Sequence, residues 1–427
     1  MIATARAQRH PAADRPGLNI AMLTTFYPPY NFGGDGIGVK RLATALADRG
    51  HRVTVVHNRD AYRLLADNEP APTASDPRID VIGLEARYPM LANLVSHQTG
   101  QPVAQKAALA KLFASKQFDV IWYHNISLMG GPGVLALGNG IKIYEAHEHW
   151  LVCPTHVLWR YNRERCDGAT PCLRCTLSYR RPPQMWRYTG GLSRQLGQVD
   201  AFIAKSEFSR AKHKAMGFPR EMEVVPYFLP DEPLQAAGIA PQDKPYFLFV
   251  GRLEKIKGVQ DILPAFAGAD GPDLIIIGSG DYEAELRGMA AGSPRVKFTG
   301  RLEPQELSRF YRHARALIVP SICYETFGII LIESFRMGTP VIARAVGPFP
   351  EIVARGGGLL YDSDEELRGA ISSLSENAAR RDSLALDARN AFDSFWNEAV
   401  VMDHYLGVIR RVADAQGNER VLSMAGG

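Results

Sequence analysis

Short runs of β-branched and aliphatic residues alternate with helical stretches along almost the whole chain, and this alternation restricts the fold more than any single motif does. In the first half the runs are LNIAMLTT, HRVTVVHN, FDVIWYHN, IKIYEAH, DAFIAKS and MEVVPYF; in the second they are PYFLFVG, DLIIIGSG, RVKFTG, ALIVPS, PVIARA and GLLYD. Strands apolar on both faces and separated by helices point to parallel sheets, whose crossover helices cover both sides. The fold class is α/β. Between the two series, PYFLPDEPLQAAGIAPQDKP is rich in Pro, Ala and polar residues and has no core-forming period. Two doubly wound domains are therefore expected, facing one another across a cleft at the carboxyl ends of their strands. The expected order is a disordered tail over 1–17, an N-terminal domain over 18–230, a linker over 231–244, a C-terminal domain over 245–395 and a closing helix over 396–415.

With 427 residues, 46% of them hydrophobic, the chain can fill two cores. A net charge of +4 over that length does not single out nucleic acid as a partner. The opening MIATARAQRHPAADRPG has no apolar signal region, and no run approaches the ~18 apolar residues that span a bilayer, so a cytoplasmic protein is expected.

Open parallel sheets bind ligands beyond the carboxyl ends of their strands. In VGRLEKIKGVQDIL a strand ends at Gly251, and the turn presents Arg252 and Lys257 before Gly258. A guanidinium and an ammonium placed there suit a diphosphate; the fragment alone equally suits a solvated surface loop. The stretch YETFGIILIESFRMGTP, residues 324–340, predicts a helix that begins near Gly328 and ends before Gly338, with Pro340 just beyond. The amides of Phe327, Gly328, Ile329 and Ile330 then point out of the helix start, which is a natural anion site. Two carboxylates interrupt the apolar stretch: Glu325 precedes the helix and Glu333 lies about a turn and a half inside it. A carboxylate is a poor neighbour for phosphate. Both make sense if the anion belongs to a sugar nucleotide, with Glu333 accepting hydrogen bonds from ribose hydroxyls and Glu325 from hexose hydroxyls. Taken singly, they read as a helix-start acid and a second-turn surface acid.

GRLEKIKG, then a second GRL after a third strand, then the Glu-x7-Glu stretch, together resemble the retaining glycosyltransferases of family 4, which have the GT-B fold. The resemblance covers nearly all of the chain. YPPYNFGGDGIGVKRLATALADRGHRVTVV looks like the family's first strand, glycine loop and helix, and WYHNIS and EAHEHWLVCP look like its acceptor-domain histidine segments. It implies two Rossmann-like domains, Arg252 and Lys257 on the donor diphosphate, Glu325 on the donor sugar and Glu333 on the ribose. It further implies that Gly33 and Gly34 close over the phosphates, that Gly280 and the loop Gly300, Arg301 and Leu302 line the donor site, and that His147 lies beside the transferred sugar. His124, Asn125 and Glu148 fall on the acceptor side. The chain departs from the family at AHEHW, where His-Asp followed by an aromatic residue is more usual.

The implied activity is retaining, metal-independent transfer of a sugar, a hexose, from a nucleotide-sugar donor to an acceptor hydroxyl, with no cofactor required for transfer. The acceptor would be a sugar, a lipid-linked sugar or a small molecule, reached with or without peripheral contact to a membrane. A nucleotide-sugar epimerase and a non-catalytic sugar-nucleotide-binding relative are the rival readings.

Other motifs are weaker. GGDGIG at 33–38 lacks the third glycine at the offset of a dinucleotide fingerprint, and GSGDYE fails likewise. DSD at 362–364 reads as a helix N-cap before EELRGAISSL and not as the D-x-D of metal-dependent transferases. His124 and His147 each end a strand, where a lone histidine is commonly a satisfied buried residue.

Of five cysteines, Cys153, Cys166, Cys172 and Cys175 are bunched with spacing C-x12-C-x5-C-x2-C, in an insertion about 150–190 of the N-terminal domain. The C-x2-C is half of a tetrahedral zinc site. In a reducing compartment four thiolates favour metal over disulfides, so a structural zinc is expected, with an iron–sulfur cluster or unliganded thiols as alternatives and His149 and His156 as substitute ligands. The same segment carries Arg160, Arg163, Arg165, Arg174, Arg180, Arg181 and Arg187 against two acids, interleaved with Trp159, Tyr161, Tyr179 and Trp186. This strip reads as solvated loop charge or as an acceptor or membrane-surface patch on the N-terminal domain. Because the donor residues belong to the other domain, loss of Cys172 or Cys175 is expected to spare nucleotide binding.

Overall fold

The computed structural model describes residues 17–66, 68–168, 172–230 and 238–426. The expected tail, up to residue 16, and the expected linker, over 231–237, lie outside the described residues.

The first half contributes β1 (Asn19–Thr24), β2 (Arg52–Asn58), β3 (Ile79–Leu84), β4 (Val120–Tyr123) and β5 (Ile141–Ala146), then the short antiparallel pair β6 (Trp159–Arg160) and β7 (Glu164–Arg165), then β8 (Ala201–Ala204) and β9 (Glu223–Val224). The second half contributes β10 (Tyr246–Val250), β11 (Asp273–Ile277), β12 (Val296–Gly300), β13 (Leu317–Val319), β14 (Val341–Arg344) and β15 (Gly358–Tyr361). The two large sheets have the orders β3-β2-β1-β4-β5-β8-β9 and β12-β11-β10-β13-β14-β15. Every pairing in the second sheet is parallel, as the alternation of strands and helices requires. In each sheet the chain winds outward from a first strand and then reverses on its other side, so switch points fall between β1 and β4 and between β10 and β13.

The second sheet shows how the apolar strands earn their burial. Successive side chains point to opposite faces. Tyr246, Leu248, Ile275, Ile277, Leu317 and Val319 join one core with Leu331, Ile332 and Phe335. Their neighbours Phe247, Phe249, Leu274, Ile276 and Ile318 join the other with Val259, Ile262 and Phe266. Burying a side chain of this size stabilises by ~1.5–3 kcal/mol each, which is why both layers form even though no strand here exceeds five residues.

Contacts divide the chain into two compact units, one made of Met1–Tyr144, Met185–Ala201 and Tyr405–Gly427, the other of Glu145–Gln184 and Phe202–His404. The division differs from the one expected from sequence: 145–184, with the four cysteines, and 202–230 group with the C-terminal half. Polar links account for part of this. Glu351 accepts from the amides of Glu207 and Phe208 at 3.1 and 3.0 Å, at the start of the helix Glu207–Ala215, where a carboxylate also meets the positive end of the helix dipole. Ser206, the N-cap of that helix, donates its hydroxyl to the carbonyl of Thr326 at 2.7 Å.

The expected closing helix is present as Glu398–Ala415, and its residues from Tyr405 onward belong to the first unit, where Tyr405 meets Trp122 edge-on at 5.3 Å. A further short helix, Glu419–Ala425, follows it; seven residues are too few for the apolar period to announce. No described helix is long and apolar enough to cross a membrane.

Candidate active site

In the second unit the two strands at the switch point, β10 and β13, deliver the residues singled out after them. After β10, Gly251 leads to Arg252, whose guanidinium is exposed and paired with Glu254 at 2.5 Å. A short 3-10 turn over Lys255–Lys257 ends at Gly258, held at φ +74°. A Cβ there would meet the carbonyl oxygen of Pro320 at 2.0 Å, so only glycine lets this turn press against the segment leaving β13. The amide of Ile322 completes the seam by donating to the carbonyl of Ile256 at 2.9 Å.

That seam brings Lys257 to Glu325. The ammonium Nζ lies 2.6 Å from Glu325 Oε1, and the Ser321 hydroxyl donates to the same oxygen at 3.2 Å. Burial opposes charge on both partners. The attraction outweighs it, holding the lysine above its ordinary pKa, through Glu325 foremost, and the glutamate below its own, through Lys257 foremost. Two residues expected on different parts of a donor are thus each other's partners in the chain alone.

The helix expected in 324–340 runs over Ile329–Arg336. Gly328 stands before it at φ +104°, where a Cβ would meet the Phe349 ring at 2.6 Å, and Gly338 follows it at φ +68°. No side chain caps the start. Glu333 sits on the second turn, half-buried, and accepts from the Tyr311 hydroxyl at 3.4 Å. Burial first, and then the Glu333 carboxylate, push the Tyr311 phenol far up, so it stays a donor.

Gly280 also has a packing role that the sequence does not announce. A Cβ on it would meet the Leu253 carbonyl at 2.3 Å, and one on Gly278 would meet the Gly251 carbonyl at 1.8 Å. GSG therefore lets the backbone leaving β11 pass against the Arg252 turn. Arg301 is exposed, and Leu302 is half-buried against the core beside it.

His147 follows β5 and is buried with three polar residues that sequence reading overlooked. Its Nδ1 lies 2.5 Å from the Tyr227 hydroxyl and its Nε2 lies 3.7 Å from Glu145. Glu145 makes an ion pair with Lys205, both side chains at most 1% exposed. Burial lowers the Lys205 pKa and Glu145 offsets part of that. Lys205 also donates to the Val225 carbonyl at 3.2 Å and stands 4.4 Å over the Tyr227 ring. The backbone oxygen of His147 accepts from the Thr326 hydroxyl at 2.9 Å, which ties this network to the residue after Glu325. The available signal was an acid inside IKIYEAH and a lysine directly after the strand AFIA, charges in or beside strands that are wholly buried.

Gly33 and Gly34 open the helix Gly34–Asp48 after β1, with the Asn31 amide donating to the Gly33 carbonyl at 2.7 Å. His124 and Asn125 follow β4; the His124 ring stacks on Trp122, and Asn125 accepts from the amide and hydroxyl of Ser127 at 3.2 and 2.7 Å. These four belong to the first unit. Glu148 is in the second unit and pairs with His156 at 2.8 Å. DSD proves to be a helix start: Ser363 and Glu366 form a reciprocal capping box before Asp364–Glu376.

The profile described as Glycosyltransferase Family 4 matches residues 32–232, and that described as Glycosyl transferases group 1 matches residues 231–391. Between them they take in every strand of the two sheets except β1. The chain belongs to the family 4 glycosyltransferases, with the GT-B fold. A D-inositol 3-phosphate glycosyltransferase of Xylanimonas cellulosilytica is 26% identical over 435 residues, 92% of this chain and 98% of that protein. Among solved structures, a sucrose-phosphate synthase of Thermosynechococcus elongatus shares the fold with a TM-score of 0.71 at 22% identity, over 93% of this chain and all of that one. HepE of Anabaena, solved in complex with UDP and glucose, does so with a TM-score of 0.63 at 18% identity, over 92% of this chain and 100% of that one. Three other curated relatives, 34–35% identical, are matched over only 30%, 21% and 42% of their own lengths.

In this family 4 chain the cysteine segment is a compact knuckle of the second unit. Cys153, Cys166, Cys172 and Cys175 all line one small cavity with Thr155, Leu158 and Met216, and none is in a disulfide. The arginine strip is correspondingly less uniform than expected. Arg165 stacks over Tyr324 at 5.8 Å, and Arg181 reaches the Thr155 carbonyl at 3.4 Å and stacks over Tyr179 at 5.9 Å.

Proposed function

We propose that the chain transfers a sugar from a nucleotide-sugar donor to an acceptor hydroxyl, with retention at the anomeric carbon and without a catalytic metal. The observation that carries this reading is the pairing of Lys257 with Glu325 between the carboxyl end of β10 and a helix start, at the switch point where open α/β sheets bind ligands. HepE, a neighbour of the same fold, is described in complex with UDP and glucose.

The chemistry follows from charge. As the sugar departs, negative charge grows on the diphosphate. Arg252, Lys257 and the amides at the start of Ile329–Arg336 supply positive charge aimed at it, the part a divalent ion would otherwise take. Lys257 would exchange part of its contact with Glu325 for a phosphate oxygen, leaving Glu325 to accept from a sugar hydroxyl. Glu333 would accept from ribose. The anomeric carbon–oxygen bond to phosphate breaks, the acceptor oxygen forms its bond on the same face, and its proton passes to the departing phosphate oxygen.

The test is incubation of the purified chain with UDP-, GDP- and ADP-sugars and a panel of hydroxyl acceptors, with and without EDTA. Products are read by mass spectrometry and their anomeric configuration by NMR. A product with the donor's configuration, formed in EDTA, is the expected result. An inverted product, or strict and reversible dependence on magnesium or manganese, contradicts the mechanism; turnover of the sugar nucleotide with no acceptor product favours an epimerase or hydrolase.

A further inference from the structure

We propose that Cys153, Cys166, Cys172 and Cys175 form a tetrathiolate site for a single zinc-class metal ion, and that this site braces the loop carrying Glu325. The second half rests on the donor-site reading given above.

The cavity the four thiols line has a volume of about 20 Å³, room for roughly one water-sized body. Their approach is built for it. Cys172 and Cys175 are three apart on the helix Cys172–Ser178, which puts both on one face. Cys153 and Cys166 are set by backbone bonds, from the Cys153 amide to the His149 carbonyl at 2.8 Å and from the Cys166 amide to the Leu158 carbonyl at 2.8 Å. The Tyr161 amide points at Cys175 Sγ from 3.3 Å and the Thr155 hydroxyl lies 3.3 Å from Cys153 Sγ, contacts that stabilise thiolate charge. Among the described residues no three of the sulfurs lie within 4.8 Å of one another, so metal–sulfur bonds of about 2.3 Å would draw them inward. Ion uptake would release the thiol protons.

The segment also needs a crosslink. His156, Leu158, Tyr161 and Asn162 hold positive φ angles, a conformation disfavoured for residues with a Cβ. Against that, among the described residues the local core is small: Cys153, Leu158 and Cys166, with Met216 and Tyr324 packed on it. A metal bond network would supply what so small a core does not.

Tyr324, which closes that core, is the residue before Glu325. Its hydroxyl donates to Asp167 at 2.6 Å, and Asp167 follows Cys166 directly in sequence. Lys212 pairs with the same Asp167 oxygen at 2.6 Å and lies 4.4 Å over the Tyr324 ring. A cysteine ligand, an aspartate and a tyrosine thus form a short chain of contacts ending beside Glu325. On this proposal cysteine loss would weaken nucleotide binding, contrary to the expectation that it is spared.

Elemental analysis of the full-length protein, purified without added metal, reads the first half of the proposal directly. About one zinc per chain is expected, and cobalt(II) exchanged into the site should show the intense thiolate-to-cobalt and visible bands of tetrahedral sulfur coordination. Cys323→Ser, outside the cavity, should keep the metal, and Cys175→Ser should lose it. Four titratable thiols with no metal, a cysteine disulfide, or an iron–sulfur spectrum would overturn the site. For the second half, Asp167→Asn should retain zinc yet bind about three- to tenfold more weakly than the parent in calorimetry with UDP, GDP and ADP, read on whichever of these the parent binds. Unchanged affinity there would overturn the bracing role while leaving the metal site standing. A parent that binds zinc but no nucleoside diphosphate would fail the donor-site reading instead, and the bracing role with it.

Discussion

Lys257 Nζ and Glu325 Oε1 lie 2.6 Å apart across the seam between the turn after β10 and the loop after β13, so the cation expected to meet phosphate is already held by the acid expected to meet sugar. The pair is partly shielded, with side chains 20% and 24% exposed. Lys257→Ala should lower kcat about 100-fold while raising the donor Kd less than about tenfold, because the charge it balances is largest as the bond breaks. Steady-state kinetics beside calorimetry separates the two, and equal losses in both would mean uniform binding instead.

The same pair fixes a pH dependence. Glu325 is held below the ordinary glutamate range, so its contribution is present at neutral pH and lost as pH falls through the depressed value. Lys257 is held above the ordinary lysine range, so its contribution is fully present at neutral pH and lost only as pH rises through the raised value. Thermal midpoints of parent and Lys257→Ala should therefore differ at neutral pH and converge as pH falls through the depressed Glu325 value. A gap that stays constant into acid would show that the ion pair is not its source.

Glu333 offers a cleaner separation of binding from folding. It touches the phenol of Tyr311 weakly, at 3.4 Å, and its neighbours Leu331, Ile332 and Phe335 make the core contacts of that helix. Glu333→Ala should weaken binding of the nucleoside diphosphate about tenfold, the order expected for hydrogen bonds to an ionised acceptor, with little change in thermal midpoint. A midpoint drop at unchanged affinity would assign Glu333 to the fold.

How far the sequence carries is visible in these residues. The strands, the helix after Gly328 and the cap at Ser363 follow from local period and capping chemistry, so they were legible. The positions of Arg252, Lys257, Glu325 and Glu333 were legible because each follows a recognisable strand or helix start. The Lys257–Glu325 pairing was not, since two residues joined through space by a glycine seam leave no periodic trace. Glu145, Lys205 and Tyr227 were missed for the same reason: their meaning arises only when three separate segments converge on His147. The grouping of 145–184 with the C-terminal half involves long-range contacts, Tyr324 to Asp167 among them, which composition cannot show.

The buried Lys205–Glu145 pair should prove asymmetric under mutation. Both side chains are at most 1% exposed, so removing one leaves the other charged and without its counter-ion. Lys205→Met should cost about 3–5 kcal/mol in urea unfolding, and adding Glu145→Gln should recover a substantial part. Additive losses in the double variant would indicate that the two side chains contribute independently, through packing.

Gly258 tests whether the seam itself positions the donor site. Its φ of +74° is left-handed, and a Cβ would fall 2.0 Å from the Pro320 carbonyl oxygen, a backbone atom that cannot swing aside as a side chain would. Gly258→Ala should destabilise by about 2–4 kcal/mol, from the left-handed conformation and the forced separation together. Because Lys257 is the preceding residue, that separation should also carry the ammonium away from Glu325 and weaken donor binding in the fraction still folded. Gly288 provides the contrast: it lies in the helix Glu283–Met289 and a Cβ there meets nothing within 4 Å. Gly288→Ala should be neutral or stabilising by about 0.5–1 kcal/mol, with donor affinity unchanged. Denaturant unfolding and nucleotide titration of both variants decide the matter: if Gly258→Ala matches Gly288→Ala in both measurements, the close approach to Pro320 is not what holds Lys257 in place.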